Sequence, residues 1–186
     1  IAFAAEYLMG ESVTQFLVYQ RQLISQGEVW RIFTGHLLHT NGFHLLLNLA
    51  AFILLWALHG RFYTIKNLSA LLFFCAISTS MGVYYYQPSL IQYVGLSGVL
   101  HGFFLWGALM DIKHKEKTGY LLLVGVILKI AHEQIYGASA DVEKLINASV
   151  ATDAHLYGAV GGLLAFLTSY LYKCMNQAKQ TTQTKS

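Results

Sequence analysis

The chain of 186 residues predicts an all-α polytopic bundle whose helices cross a membrane several times. Three observations carry this. Only 11% of the residues are Asp, Glu, Lys or Arg, where a soluble domain carries about 25%. Mean hydropathy is positive, at +0.48. No charged residue falls between Asn67 and Met110, and one bilayer crossing takes roughly 20 apolar residues. The formal net charge of +3 sits in short clusters, without the basic stripe and interleaved aromatics of a nucleic-acid surface. Cys75 and Cys174 have neither CxxC nor metal-ligand spacing and read as packing residues.

The elements follow in order. "IAFAAEYLM", residues 1–9, is too short to cross alone and reads as the tail of a first span truncated at the N-terminus. It lacks the basic start and cleavage site of a signal peptide. A mixed polar stretch runs from Gly10 to about Arg31, where Trp30 and Arg31 read as interface anchors. The second span is Gly42 to Leu58. Pro88, the single proline, forces its predecessor out of the helical region, so the long uncharged run divides into a third span, Asn67 to Tyr86, and a fourth, Tyr93 to Met110. Thr118 to Gly137 makes a fifth, with Lys129 and Glu133 one turn apart as a structural ion pair. Asp153 to Tyr172 makes the sixth. The membrane domain thus covers 1–175, and "NQAKQTTQTKS" at 176–186 reads as a disordered polar tail. Gly60, Gly107 and Gly125 read as close-packing positions.

Basic residues near span ends stay in the cytoplasm. Arg61, Lys66, Lys113, Lys115, Lys117, Lys173, Lys179 and Lys185 all fall on one side, eight of the twelve. With that side and the C-terminus cytoplasmic, the second, fourth and sixth spans run inward from the outer surface. His44 and Asn48, four apart on one face, then share a depth with Ser97 and His155. Small residues four apart let membrane helices approach closely, and Gly98 with Gly102 and Gly158 with Gly162 would bring Ser97 towards His155.

A serine hydroxyl becomes a nucleophile when a base takes its proton, and imidazole suits that task. The glycine-flanked helix start at Gly95, Leu96 and Ser97 exposes first-turn N–H groups, which with His44 and Asn48 could hold an oxyanion. The inferred chemistry is acyl transfer. Serine in membrane helices usually bonds its own backbone, so the convergence of four polar residues is what lifts Ser97 above that background. His101, four residues on, is a rival base that points poorly at its neighbour's hydroxyl and reads as packing beneath the site or bonding into it. His36, His39 and His44 could together ligate zinc, but there is no HExxH and no nearby carboxylate, so neither metal nor other cofactor is expected. The rival from another class is a small transporter or channel using Lys129 and Glu133 as an ion relay.

Trp30 with Arg31, His39, "HLLLN" from His44 to Asn48, "GLSG" from Gly95 to Gly98 and "AHLYGAVGG" from Ala154 to Gly162 resemble the rhomboid intramembrane serine proteases, from the second span to the end of the sixth. The resemblance implies a six-span rhomboid-like fold, Ser97 as nucleophile and His155 as base in a dyad without an acid, and His44 with Asn48 at the oxyanion. "TGHLLHTNGFHLLLNLA" and "YVGLSGVLHG" are most similar to rhombosortases, the bacterial branch associated with substrates bearing a C-terminal Gly-Gly, a transmembrane helix and a basic tail. That implies a serine endopeptidase of the bacterial inner membrane, its site facing the periplasm, acting on membrane-anchored proteins. Two departures stand out: His101 where many rhomboids have an aromatic residue, and "LHGRF" where many carry a Glu.

Overall fold

A computed structural model describes residues 10–183, so the tail of the expected first span, residues 1–9, lies outside them, as do 184–186. The architecture is all-α apart from one short antiparallel bridge. In chain order come α1 (Glu11–Leu17), β1 (Tyr19–Gln20), α2 (Arg21–Ser25), α3 (Arg31–Thr34) and a 3-10 turn (Gly35–Leu37), then α4 (Gly42–His59) with a 3-10 turn at Gly60–Phe62. There follow α5 (Ile65–Tyr86), β2 (Gln92–Tyr93), α6 (Ser97–Lys113), α7 (Thr118–Tyr136), α8 (Ala140–Ile146) and α9 (Thr152–Gln183).

Among the described residues four helices, not six, are long and apolar enough to cross a membrane: Gly42–Phe62, Ile65–Tyr86, Thr118–Tyr136 and Thr152–Tyr172. The expected fourth span is realised as α6, which is only 17 residues long because Tyr93 is held in β2 and Gly95, at φ 124°, breaks the backbone before it. At 1.5 Å per residue that is about 26 Å. Its sides are covered by α4, α5, α7 and α9, so it meets protein where the others meet lipid. The helix of α9 continues into the polar tail as far as Gln183, where the composition suggests disorder.

Local chemistry sets the boundaries. Asn41 caps α4 by accepting from the His44 N–H at 2.9 Å, and Thr64 caps α5 through the Asn67 N–H. α5 stops at Tyr86, two residues before Pro88. Gly137, at φ 77°, ends α7 in a conformation that side chains resist. α4 is inverted relative to a soluble helix: its buried stripe is His44, Asn48, Leu55 and His59, while Leu46, Ile53 and Leu54 are exposed. A helix with lipid on one side keeps its polar groups inward.

The tightest seam lies between α6 and α9. A Cβ at Gly158 would sit 1.8 Å from the Gly98 carbonyl oxygen, and one at Gly162 would sit 2.1 Å from that of Gly102. Neither position tolerates a side chain without moving backbone. Gly107 likewise makes room for His59, whose Nδ1 would lie 2.3 Å from an added Cβ, and Gly60 sits against Trp56. Gly125 faces open space, contrary to the packing role expected of it, because it lies on the lipid side of α7. Beneath the seam Leu71, Phe103 and Trp106 form the core with Leu55 and Met110.

Arg31 is not an interface anchor. It is 3% exposed, and its guanidinium donates to the carbonyls of Gln15 and Val18, each at 2.7 Å, and to Glu28 at 2.6 Å. It ties α1 to α3 because the loop carbonyls there have no helical partners. Trp30 does stay near the surface, stacked on Phe16 and donating to its carbonyl. At the end of the bundle away from Ser97, Asp111 gathers Arg61 at 2.8 Å and His59 at 3.3 Å. Those two residues come from the "LHGRF" segment and join α4 to α6.

Candidate active site

Ser97 is the first residue of α6, and the chain reaches it through a constrained turn. β1 pairs with β2 in the register Tyr19 to Tyr93 and Gln20 to Gln92, which anchors the segment just before the turn. Gly95 has φ 124°, and a Cβ there would lie 2.9 Å from Cε1 and Nε2 of His44, so both backbone and space demand glycine. The Gly95 carbonyl accepts from the Tyr93 hydroxyl at 2.9 Å and lies 3.3 Å from His36 Nδ1. In a trans peptide the N–H points opposite the C=O, so pinning that carbonyl also pins the Leu96 N–H.

His155 enters from the first turns of α9. Its Nε2 is 3.0 Å from Ser97 Oγ, and its Nδ1 is 2.8 Å from Oε2 of Glu133 on α7. A carboxylate only accepts, so Nδ1 carries the ring proton and Nε2 is left to accept from the serine hydroxyl. Glu133 belongs to the buried stripe of α7, with Gly119, Val126 and Ile130, and its other oxygen meets Lys129 Nζ. The expected pairing of Lys129 with Glu133 is therefore present, and the same carboxylate also reaches His155.

His101 stacks on His155 with ring centroids 4.0 Å apart and planes 14° apart. Its Nδ1 donates to the Ser97 carbonyl at 2.8 Å, one turn back on its own helix. His44 Nδ1 accepts from the Thr40 N–H at 3.3 Å and lies 3.1 Å from the Thr40 hydroxyl oxygen, and Cε1 and Nε2 are the ring atoms turned to Gly95. Asn48 donates from Nδ2 to the His44 carbonyl. The rings of His39 and His44 pack edge to face with centroids 4.9 Å apart, and burial together with the His44 charge pushes the His39 pKa down to about 4.

These groups border a cavity of about 700 Å³ whose wall includes His44, Asn48, Ser97, His101, Glu133 and His155. Leu47, Ala51 and Val142 supply apolar surface, and Lys129 reaches the cavity half exposed. α8 lies over α4, held by the Thr40 hydroxyl donating to the Ile146 carbonyl at 2.6 Å and by Asn41 donating to Leu145.

A second serine and histidine pair exists. His36 Nε2 is 3.0 Å from Ser80 Oγ, but the Ser80 hydroxyl donates to the Ile32 carbonyl at 2.7 Å, and neither residue borders the cavity. Burial pushes the His36 pKa down, which suits a neutral structural ring.

Donor atoms of His101, Glu133 and His155 all lie within 4.8 Å of one another, close enough to raise a metal site. An ion must lie near the plane of each imidazole that binds it, and two nearly parallel stacked rings offer no such shared point. The donor types suit zinc, but the stacked placement of the two rings does not.

Sequence reasoning placed Ser97, His155, His44 and Asn48 at one depth, and the four border one cavity. It missed the contribution of α7, and with it the carboxylate on His155. The available signal was an acidic residue inside an apolar helix, which marks function more often than packing. Nothing in type or spacing signalled that Tyr93 and His36 hold the Gly95 carbonyl or that Thr40 orients His44.

Comparison with known proteins shows the family of the chain. The family model described as the rhomboid domain matches residues 26–171. A protein of Bacillus subtilis (strain 168) named "Putative rhomboid protease YdcA" is 29% identical over 145 residues, covering 77% of this chain and 69% of its own length. The chain belongs to the rhomboid family of multi-pass membrane proteins.

Proposed function

We propose that the chain is an intramembrane serine endopeptidase in which Ser97 is the nucleophile and His155 its base. The observation that carries the reading is the 3.0 Å approach of Ser97 Oγ to His155 Nε2 at the wall of a cavity. The Ser80 and His36 pair approaches as closely, but its hydroxyl proton is committed to the Ile32 carbonyl and neither residue borders that cavity.

Ser97 Oγ attacks the substrate carbonyl carbon as its proton passes to His155 Nε2, forming a tetrahedral oxyanion. The N–H groups of Leu96 and Ser97 at the free end of α6, and the Asn48 amide, are positioned as donors to it. His44 joins them as the tautomer whose Nδ1 accepts from the Thr40 N–H and whose Nε2 carries the proton. The imidazolium then protonates the leaving amine as the C–N bond breaks, and water releases the acyl group by the reverse relay. His101 is a poor base because it faces the Ser97 carbonyl, whereas His155 faces the hydroxyl. Its stacking on His155 gives it a positioning role.

The resemblance of "YVGLSGVLHG" to rhombosortases supports a bacterial inner-membrane enzyme, and the clustering of basic residues on one side supports a periplasmic site with a cytoplasmic C-terminus. Its substrates are then membrane-anchored proteins cut near a Gly-Gly that precedes a C-terminal transmembrane helix. A local unwinding at such small residues would offer an extended peptide bond to the cavity.

A fluorophosphonate probe applied in detergent tests the assignment. Wild type is expected to label at Ser97, with the label lost in Ser97→Ala and His155→Ala. Persistent labelling of the His155 variant, or label on Ser80, refutes it. Mass spectrometry of a co-expressed Gly-Gly-tailed protein, with and without Ser97, then reports the scissile bond and any group transferred to it.

A further inference from the structure

The structure assigns Glu133 as a third member of the catalytic relay, the carboxylate that sets and holds the tautomer of His155. This rests on the reading of Ser97 and His155 as nucleophile and base. It departs from the dyad without an acid that the family resemblance implies.

Three observations converge. Glu133 Oε2 lies 2.8 Å from His155 Nδ1, on the side of the ring opposite the atom that faces Ser97 Oγ at 3.0 Å. The residue is 8% exposed, on the inward stripe of a helix that otherwise meets lipid. Its second oxygen is held by Lys129, one turn back on the same helix, so the carboxylate cannot swing away from the ring without breaking an ion pair. An ionised carboxylate inside a membrane bundle is costly unless paired. Here the Lys129 ammonium offsets that cost, leaving the other oxygen for the imidazole.

The chemistry follows from proton accounting. With Glu133 ionised, the Nδ1 proton of His155 is anchored to it and Nε2 has its lone pair free. As Ser97 Oγ forms its bond to the carbonyl carbon, the hydroxyl proton moves to Nε2 and His155 becomes an imidazolium. Glu133 stays ionised throughout and stabilises that positive charge, and the Nε2 proton later leaves on the amine. Without the carboxylate the ring can take the other tautomer, with a proton aimed at the serine, and base catalysis stops. His101 fixes the plane of His155 by stacking, and Glu133 fixes its rotation within that plane.

The test compares purified Glu133→Gln, Glu133→Asp and Lys129→Gln with wild type, using turnover of a cleavable membrane-anchored substrate and thermal unfolding. Glu133→Gln is expected to lower kcat on the order of 10²-fold or more while KM changes by less than about twofold. Glu133→Asp should recover part of the loss, and Lys129→Gln should cost less than about tenfold because the contact with His155 survives. In ¹⁵N-histidine-labelled wild type, a strongly downfield Nδ1 proton of His155 is expected, and it should be missing from Glu133→Gln. If Glu133 serves only as the structural partner of Lys129, the Gln variants at 133 and 129 lose equal activity in step with their unfolding temperatures, which overturns the proposal. Full kcat in a folded Glu133→Gln enzyme whose His155→Ala counterpart is dead also overturns it, and leaves the serine and histidine reading intact. A His155→Ala enzyme that labels at the wild-type rate removes that reading itself, and the proposal with it.

Discussion

The seam between α6 and α9 controls the distance on which the chemistry depends, and Gly158→Ala is the perturbation that tests it. The added Cβ would lie 1.8 Å from the Gly98 carbonyl oxygen, whereas an aliphatic carbon rests about 3.3 Å or more from such an oxygen. The helices must part by about 1.5 Å to accommodate it. Gly98 follows Ser97 directly and His155 lies one turn before Gly158, so the displacement falls on the pair that now meets at 3.0 Å. Opened by that amount along its axis, the pair would stand about 4.5 Å apart, beyond hydrogen-bond range. A misplacement of about 1 Å can cost on the order of 10² in rate, so fluorophosphonate labelling of Ser97 should slow by at least that factor. Gly125→Ala is the control: its Cβ enters open space, so labelling should be unchanged and the unfolding temperature equal or higher, since Ala is the better helix former. If Gly158→Ala labels at the wild-type rate with an unchanged unfolding temperature, the argument that this seam sets the site is wrong.

Further outcomes follow from the same geometry. His44→Ala should lower kcat by roughly 10²–10³-fold, as expected for loss of one oxyanion donor, with the fold retained by circular dichroism. Asp111→Asn weakens the tie between α4 and α6 and should lower stability by roughly 1.5–3 kcal/mol in SDS-induced unfolding, with labelling per folded molecule unchanged; Arg61→Ala, removing a half-exposed partner, should cost less. The folded His39 pKa of about 4 lies below the ordinary histidine value of 6.5, so the unfolded chain binds more protons between those values. Its contribution to stability is complete above pH 6.5 and is lost as pH falls towards 4. The unfolding temperature of His39→Phe should therefore depend less steeply on pH across that window.

Span limits were legible where one residue type controls the backbone. Pro88 and Gly137 mark the ends of α5 and α7 because each acts through its own dihedral angles, whatever the neighbours do. Arg31 was misread because the same sequence position suits a headgroup contact or a loop tie, and only the folded loop supplies the carbonyls of Gln15 and Val18. Glu133 was read through its sequence neighbour Lys129, a true contact that concealed a second one, 22 residues away in the chain, to His155.

Composition and spacing by themselves determined that the chain lives in a membrane as helices and that His44, Asn48, Ser97 and His155 fall in the first two turns of theirs, because hydropathy and rise per residue are properties of each segment alone. The tertiary structure alone decided that α6 is a short, enclosed helix, that Ser97 faces His155 while Ser80 faces Ile32, and that a carboxylate from α7 completes the row. Such contacts depend on how each helix is rotated about its axis against the others. Every residue turns that direction by about 100°, so the pairing is set by the whole packed interface.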